Sequence, residues 1–112
     1  MLKLVRRSQG QLYRFFSSHL EVKHDLKLKE FSLGDGTEKA VLQYKDLSPS
    51  SIELKHTIVP ESLQGKGLGK LLADAAFEYA LDRSLKVKVS CGFVQKYLEK
   101  HPKSEFKDIL VI

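Results

Sequence analysis

The stretch Ile52-Glu53-Leu54-Lys55-His56-Thr57-Ile58-Val59-Pro60, followed by Gln64-Gly65-Lys66-Gly67-Leu68-Gly69-Lys70, contains a change of rhythm that decides the fold. Ile52, Leu54, His56 and Ile58 alternate with Glu53, Lys55 and Thr57, a period of two that predicts a strand with one covered face, ended by Pro60. From Leu68 onward the period changes. Leu68, Leu71, Leu72, Ala75, Ala76 and Tyr79 fall at the spacing of a helical stripe lying on a sheet. Between the two rhythms, Gly65, Gly67 and Gly69 place three of the chain's seven glycines within five residues. Glycine lets successive N–H groups turn toward one point without a Cβ penalty, and a helix start adds unpaired donors and the positive end of a dipole. The loop reads as an anion cradle, although a tight strand-to-helix turn also asks for glycine. Two phosphate motifs are excluded. The loop lacks the four-residue spacing to Gly-Lys-Ser/Thr of a P-loop, and Lys70 and Leu72 stand where a dinucleotide fingerprint needs glycine or alanine.

Upstream, Lys29–Leu33 and Ala40–Leu47 are strand-like and joined by Gly34-Asp35-Gly36-Thr37, which has hairpin turn chemistry; Ser48-Pro49-Ser50-Ser51 makes the next turn. These two runs and the Ile52 strand should form an antiparallel meander. Downstream, Leu85, Val87, Val89 and Cys91 alternate with Lys86, Lys88 and Ser90, and Phe93, Val94, Tyr97 and Leu98 mark a short second helix stopped before Pro102. A strand–helix–strand crossover over 52–91 should be parallel and right-handed. The predicted class is α/β with a mixed sheet: a meander, then strand, helix, strand, helix.

The formal net charge of +5 is concentrated at one end. Residues 1–20 hold Lys3, Arg6, Arg7 and Arg14 and no acid, which leaves fifteen basic against fourteen acidic residues from Glu21 onward. A nearly neutral remainder argues against a large nucleic-acid footprint, which needs a basic stripe on the fold itself. The leader, 1–20, is Arg-rich, contains Ser and interleaves Leu2, Leu4, Val5, Leu12, Tyr13, Phe15 and Phe16 with its charges. That composition predicts a mitochondrial transit peptide and a matrix location, with Arg14-Phe15-Phe16-Ser17-Ser18 resembling a processing site cut after Phe16. A basic tail or surface helix, in a cytoplasmic or nuclear protein, suits the same composition. Residues 21–112 make one small domain. No stretch approaches the roughly 18–20 apolar residues of a membrane span, so no membrane partner is expected. A single cysteine forbids an internal disulfide.

Strand, then Gln-x-x-Gly-x-Gly, then helix, strand and helix resembles the core of the GNAT acyltransferase superfamily. Gln64, Gly67 and Gly69 occupy the specified positions of its Arg/Gln-x-x-Gly-x-Gly/Ala signature. Leu54–Pro60, the Gly67–Tyr79 helix and Cys91 followed by Phe93-Val94-Gln95-Lys96-Tyr97 resemble its small single-domain branch, over about Glu21 to Pro102. The resemblance implies a compact GNAT-like fold and an N-acetyltransferase with acetyl-CoA as co-substrate. By it, Gln64, Gly65, Lys66, Gly67, Leu68, Gly69 and Lys70 bind the coenzyme, the backbone amides of 64–69 holding the pyrophosphate, and the edge of the Ile52–Val59 strand, at Ile58 and Val59, pairs with the pantetheine amides. Larger members wall the acceptor site with two helices between their first strands, where this chain has only short connections. The acceptor side should be open, which favours a protein lysine or N-terminal amine, or a second subunit completing the pocket; the oligomeric state is not legible.

Acetyl transfer to an amine needs a base, donors for the tetrahedral oxyanion and an acid for the departing thiolate. His56 carries an imidazole, the side chain most used for proton transfer, and is in phase with Ile52, Leu54 and Ile58, a placement that suits a base and equally a structural core histidine. Cys91 closes the next strand; the resemblance makes an acyl-cysteine route conceivable, while a buried free cysteine is ordinary. Tyr97 has the family's position for protonating the thiolate and the spacing of a core residue. His24 and His101 read as surface residues, and with Cys91 they lack metal-site spacing, so no metal is expected. The alternative to an enzyme is a catalytically silent CoA-binding or protein-interaction module with the same fold.

Overall fold

A computed structural model describes residues 12–14, 21–35 and 38–111. Among the described residues, six strands lie side by side in chain order: β1 (Leu12–Arg14), β2 (Glu21–Asp25), β3 (Glu30–Asp35), β4 (Glu38–Ser48), β5 (Ser51–Ile58) and β6 (Lys86–Val89). Pairings from β1 to β5 are antiparallel, and β5–β6 is parallel. The meander over β3–β5 and the crossover through α1 (Leu68–Asp82) follow the alternation and turn residues of the sequence. After β6 come α2 (Gly92–Lys100) and α3 (Ser104–Asp108), and then Leu110, which bridges in parallel to Val87. The leader expected over 1–20 lies outside the described residues except at β1.

The helical stripe of α1 packs on β3 and β4. Burial extends beyond that stripe to Ala73, Phe77 and Ala80. The ring of Phe77 stacks on Phe106 of α3 at 4.7 Å and on Tyr97 of α2 at 6.2 Å. α1 is therefore covered by the sheet and by both later helices, and fully burying a side chain such as Phe77 is worth about 1.5–3 kcal/mol. α3 was not anticipated because five residues are too few to show a period.

The alternation along β5 does not run to its end. Ile52 and Leu54 point into the core, but the register slips between Gln43 and Tyr44 of β4: Tyr44 faces Leu54 while Gln43 faces His56. Lys55 is the extra residue of a β-bulge, and every side chain after it changes face. His56 and Ile58 consequently lie on the outer face, where Ile58 is 52 % exposed. The expected placement of both beside Ile52 and Leu54 is corrected by this single inserted residue. The inward positions pass to Thr57 and Val59.

His24 also departs from expectation. It is buried, sharing a 2.5 Å hydrogen bond between Nε2 and the Tyr44 hydroxyl, with its ring stacked on Phe31 at 4.1 Å and edge-on to Tyr79 at 4.5 Å. Val22 and His24 are the inward positions of β2, and an imidazole fills an aromatic layer once its polar atom has a partner. Burial, assisted by the charges of Arg83 and Lys29, lowers its pKa to about 4.

Candidate functional site

Each signature residue of the glycine loop has its own physical reason. Gln64 donates from Nε2 to the Val59 carbonyl at 3.1 Å and so ties the loop to the end of β5. Gly67, the N-cap of α1, has φ +76°, and Gly65 has φ +80°. A Cβ at either would meet nothing within 4 Å, so these positions need glycine for backbone angle, and the space before them is open. Gly69 is different: a Cβ there would stand 2.5 Å from Cζ of Phe93, so its glycine admits the close approach of α2. No side chain caps α1, and its first bond to the cap is Leu71 N–H to Gly67 carbonyl at 3.3 Å. The N–H groups of Leu68, Gly69 and Lys70 therefore have no acceptor inside the helix, and its dipole adds partial positive charge there.

A cavity of about 600 Å³ opens in front of this loop. Thr57 and Val59 line it from β5, and Phe93, Lys96, Tyr97, Lys100 and His101 line it from α2 and its end. It exists because the parallel strands part. Their pairing runs from Ser51↔Lys86 to Leu54↔Val89 and is continued by Ser90 N–H to the Leu54 carbonyl at 3.0 Å. From Lys55 to Ile58, β5 has no strand partner on that side among the described residues. Across the gap, Thr57 Oγ1 and Cys91 Sγ are 3.3 Å apart. An extended chain carrying amides fits such an edge, and an anion fits the loop at its end.

The candidate side chains divide accordingly. Val59, Gln64, Gly65, Gly67, Leu68, Gly69, Lys70 and Tyr97 line the one cavity. Cys91, buried at the start of α2, stands behind Thr57. Tyr97 donates its hydroxyl proton to Asp74, which also accepts from Lys70 Nζ at 3.0 Å. Burial first, and then that hydrogen bond, push the phenol above its usual range. His56 and Ile58 lie on the opposite face, and exposed Lys66 does not line the cavity. His101, expected at the surface, is half-buried in the cavity wall with its ring 5.3 Å from Tyr97. Sequence reading missed Thr57, because the bulge is silent in the pattern. It also missed Lys96 and Lys100, although Phe93, Lys96, Tyr97 and Lys100 are spaced as one helical stripe.

Comparison with known proteins agrees with this geometry. A family model described as GCN5-related N-acetyl-transferase matches residues 30–109, which include the bulged strand, the loop and α2. Protein NATD1 of Xenopus tropicalis is 34% identical over 96 residues, 84% of this chain and 88% of that protein. The Homo sapiens protein of that name is 31% identical over 93 residues, 81% of this chain and 82% of its own length. A GCN5-like protein of Staphylococcus aureus, solved by NMR, superposes with a TM-score of 0.64 at 32% identity, covering 84% of this chain and 90% of that one. On its loop, its parted strands and these matches, the chain belongs to the GCN5-related N-acetyltransferase family.

Proposed function

We propose that this protein is an acetyl-CoA-dependent N-acetyltransferase that acts on an amine of a protein or peptide. The observation that carries the reading is the continuity of one cavity from the uncapped start of α1 to the free edge of β5. Acetyl-CoA supplies the activated thioester. The backbone amides of Leu68, Gly69 and Lys70 bind the pyrophosphate, and the β5 edge at Ile58 and Val59 orients the pantetheine arm. Thr57 offers a hydroxyl where the strands part, beside Cys91. Tyr97 stays protonated at neutral pH and already donates a hydrogen bond to Asp74, so it serves a departing sulfur as a donor only by exchanging that partner. His56, on the other face, is not assigned the base.

Thermal unfolding of the full chain with and without acetyl-CoA, for the natural protein and Gly67→Glu, tests the proposal. Ligand at a hundredfold excess over Kd adds about 2.7 kcal/mol, a rise of roughly 10 °C or more in so small a domain. The rise should vanish in Gly67→Glu, whose carboxylate points into the anion site. No rise in the natural protein rejects the coenzyme reading; a rise without turnover on any amine leaves a silent binding module. Intact mass after acetyl-CoA alone separates the routes: one added acetyl group at Cys91 marks passage through the thiol, and an unmodified Cys91 leaves direct transfer. The basic leader is proposed to direct mitochondrial import. A tagged full-length protein should fractionate with mitochondria and lose the mass of residues 1–16, whereas a full-length cytosolic product rejects import.

A further inference from the structure

We infer that Lys96 and Lys100 form a second anion subsite, which takes a nucleoside 3′-phosphomonoester, so that the protein distinguishes coenzyme A from its 3′-dephospho form. The inference rests on the coenzyme reading above and deepens it. Phe93, Lys96, Tyr97 and Lys100 make one stripe of α2, and all four face the cavity. Phe93 lies against Gly69 and Tyr97 against Phe77, so the aromatic members of the stripe are explained by packing. The two lysines are not. Neither makes an ion pair or hydrogen bond among the described residues, and the described lining of the cavity contains no carboxylate. Lys70, which lines the same cavity, is by contrast paired with Asp74 at 3.0 Å. Glu99, their neighbour in sequence, faces a different depression beside Leu98, Pro102 and Lys107.

Lys100 sits in the last turn and complements the negative end of the helix, but Lys96 is mid-helix and gains nothing from that end. Two like charges one turn apart repel, and an anion between them removes the repulsion. The pair is displaced from the loop. At about 1.5 Å per residue, Lys96 and Lys100 lie roughly 4 Å and 10 Å along the axis from Phe93, whose ring marks the start of α1. The loop's backbone donors are spent on one diphosphate, whereas a dianionic monoester is a separate charge that compact ammonium groups on flexible stems suit.

The experiment is titration calorimetry with coenzyme A and with 3′-dephospho-coenzyme A, on the full-length natural protein and on the Lys96→Gln/Lys100→Gln double variant. The natural protein should bind coenzyme A about tenfold more tightly, a gap two exposed charge contacts can supply. Added salt should narrow that gap. The double variant should bind both ligands alike, at the affinity the natural protein shows for the dephospho form. Unliganded melting of the two proteins controls for folding, and Lys100→Gln alone should halve the preference or more. Equal binding of both ligands by the natural protein, or a preference that survives in the double variant, overturns the second subsite while leaving the coenzyme reading intact. Failure of both ligands to bind overturns the two together.

Discussion

At the scale of single residues, His24 gives the clearest link between burial and a measurable property. Its folded pKa of about 4 lies below the 6.5 of a free imidazole, so between these values the unfolded chain takes a proton that the folded one refuses. The neutral ring's contribution is complete above about pH 6.5 and is lost as the pH falls toward 4, to a limit of about 3 kcal/mol. Urea unfolding from about pH 7 down to about pH 4.5 should show this decline. His24→Phe keeps a ring against Phe31 and has nothing to protonate, so its stability should fall less over the interval. An equal decline would assign acid sensitivity to the carboxylates instead. His24 escaped sequence reading because a five-residue strand with one apolar and one imidazole inward position looks like any exposed polar run.

At the scale of elements, the junction of α1 and α2 depends on the missing side chain at Gly69. Gly69→Ala sets a methyl against the Phe93 ring, and because that ring is 43 % exposed it can turn aside, for a cost of about 1 kcal/mol. In a cycle with Phe93→Ala the cost should disappear and leave the modest helix gain of alanine; a cost that persists would place the clash in the backbone. The strands, the crossover and both main helices were legible because each obeys a single period over its length. β5 obeys one period as far as Leu54 and the opposite phase from His56, and nothing in Lys55 or His56 announces the change. A bulge is decided by how two strands meet, and one strand's sequence does not record it. The glycine loop was legible because its constraint is local: φ of +80° and +76° must be met by the residues themselves. Thr57 and the lysines of α2 belong to the site through tertiary approach.

At the scale of the whole molecule, α2 and α3 both pack on α1, while Lys23, His56 and Ile58 lie exposed on the opposite face of the sheet. Among the described residues no helix lies between the early strands to enclose a small acceptor, and if the proposed activity holds, lysine within a peptide should be acetylated with a kcat/KM at least equal to that of free lysine. A marked preference for the free amino acid would mean that something else closes the site. The last feature is the anchoring of β6, which pairs with β5 on one side and on the other exchanges Val87 N–H to Ile109 carbonyl at 2.8 Å and Val111 N–H to Val87 carbonyl at 2.9 Å. Both strands beside the gap are thereby pinned, β5 by β4 and β6 by Ile109, Leu110 and Val111. The slot is a standing one. Ligand capture should then be a single encounter, with a stopped-flow rate that climbs in proportion to concentration and never levels off at the pace of a door being opened.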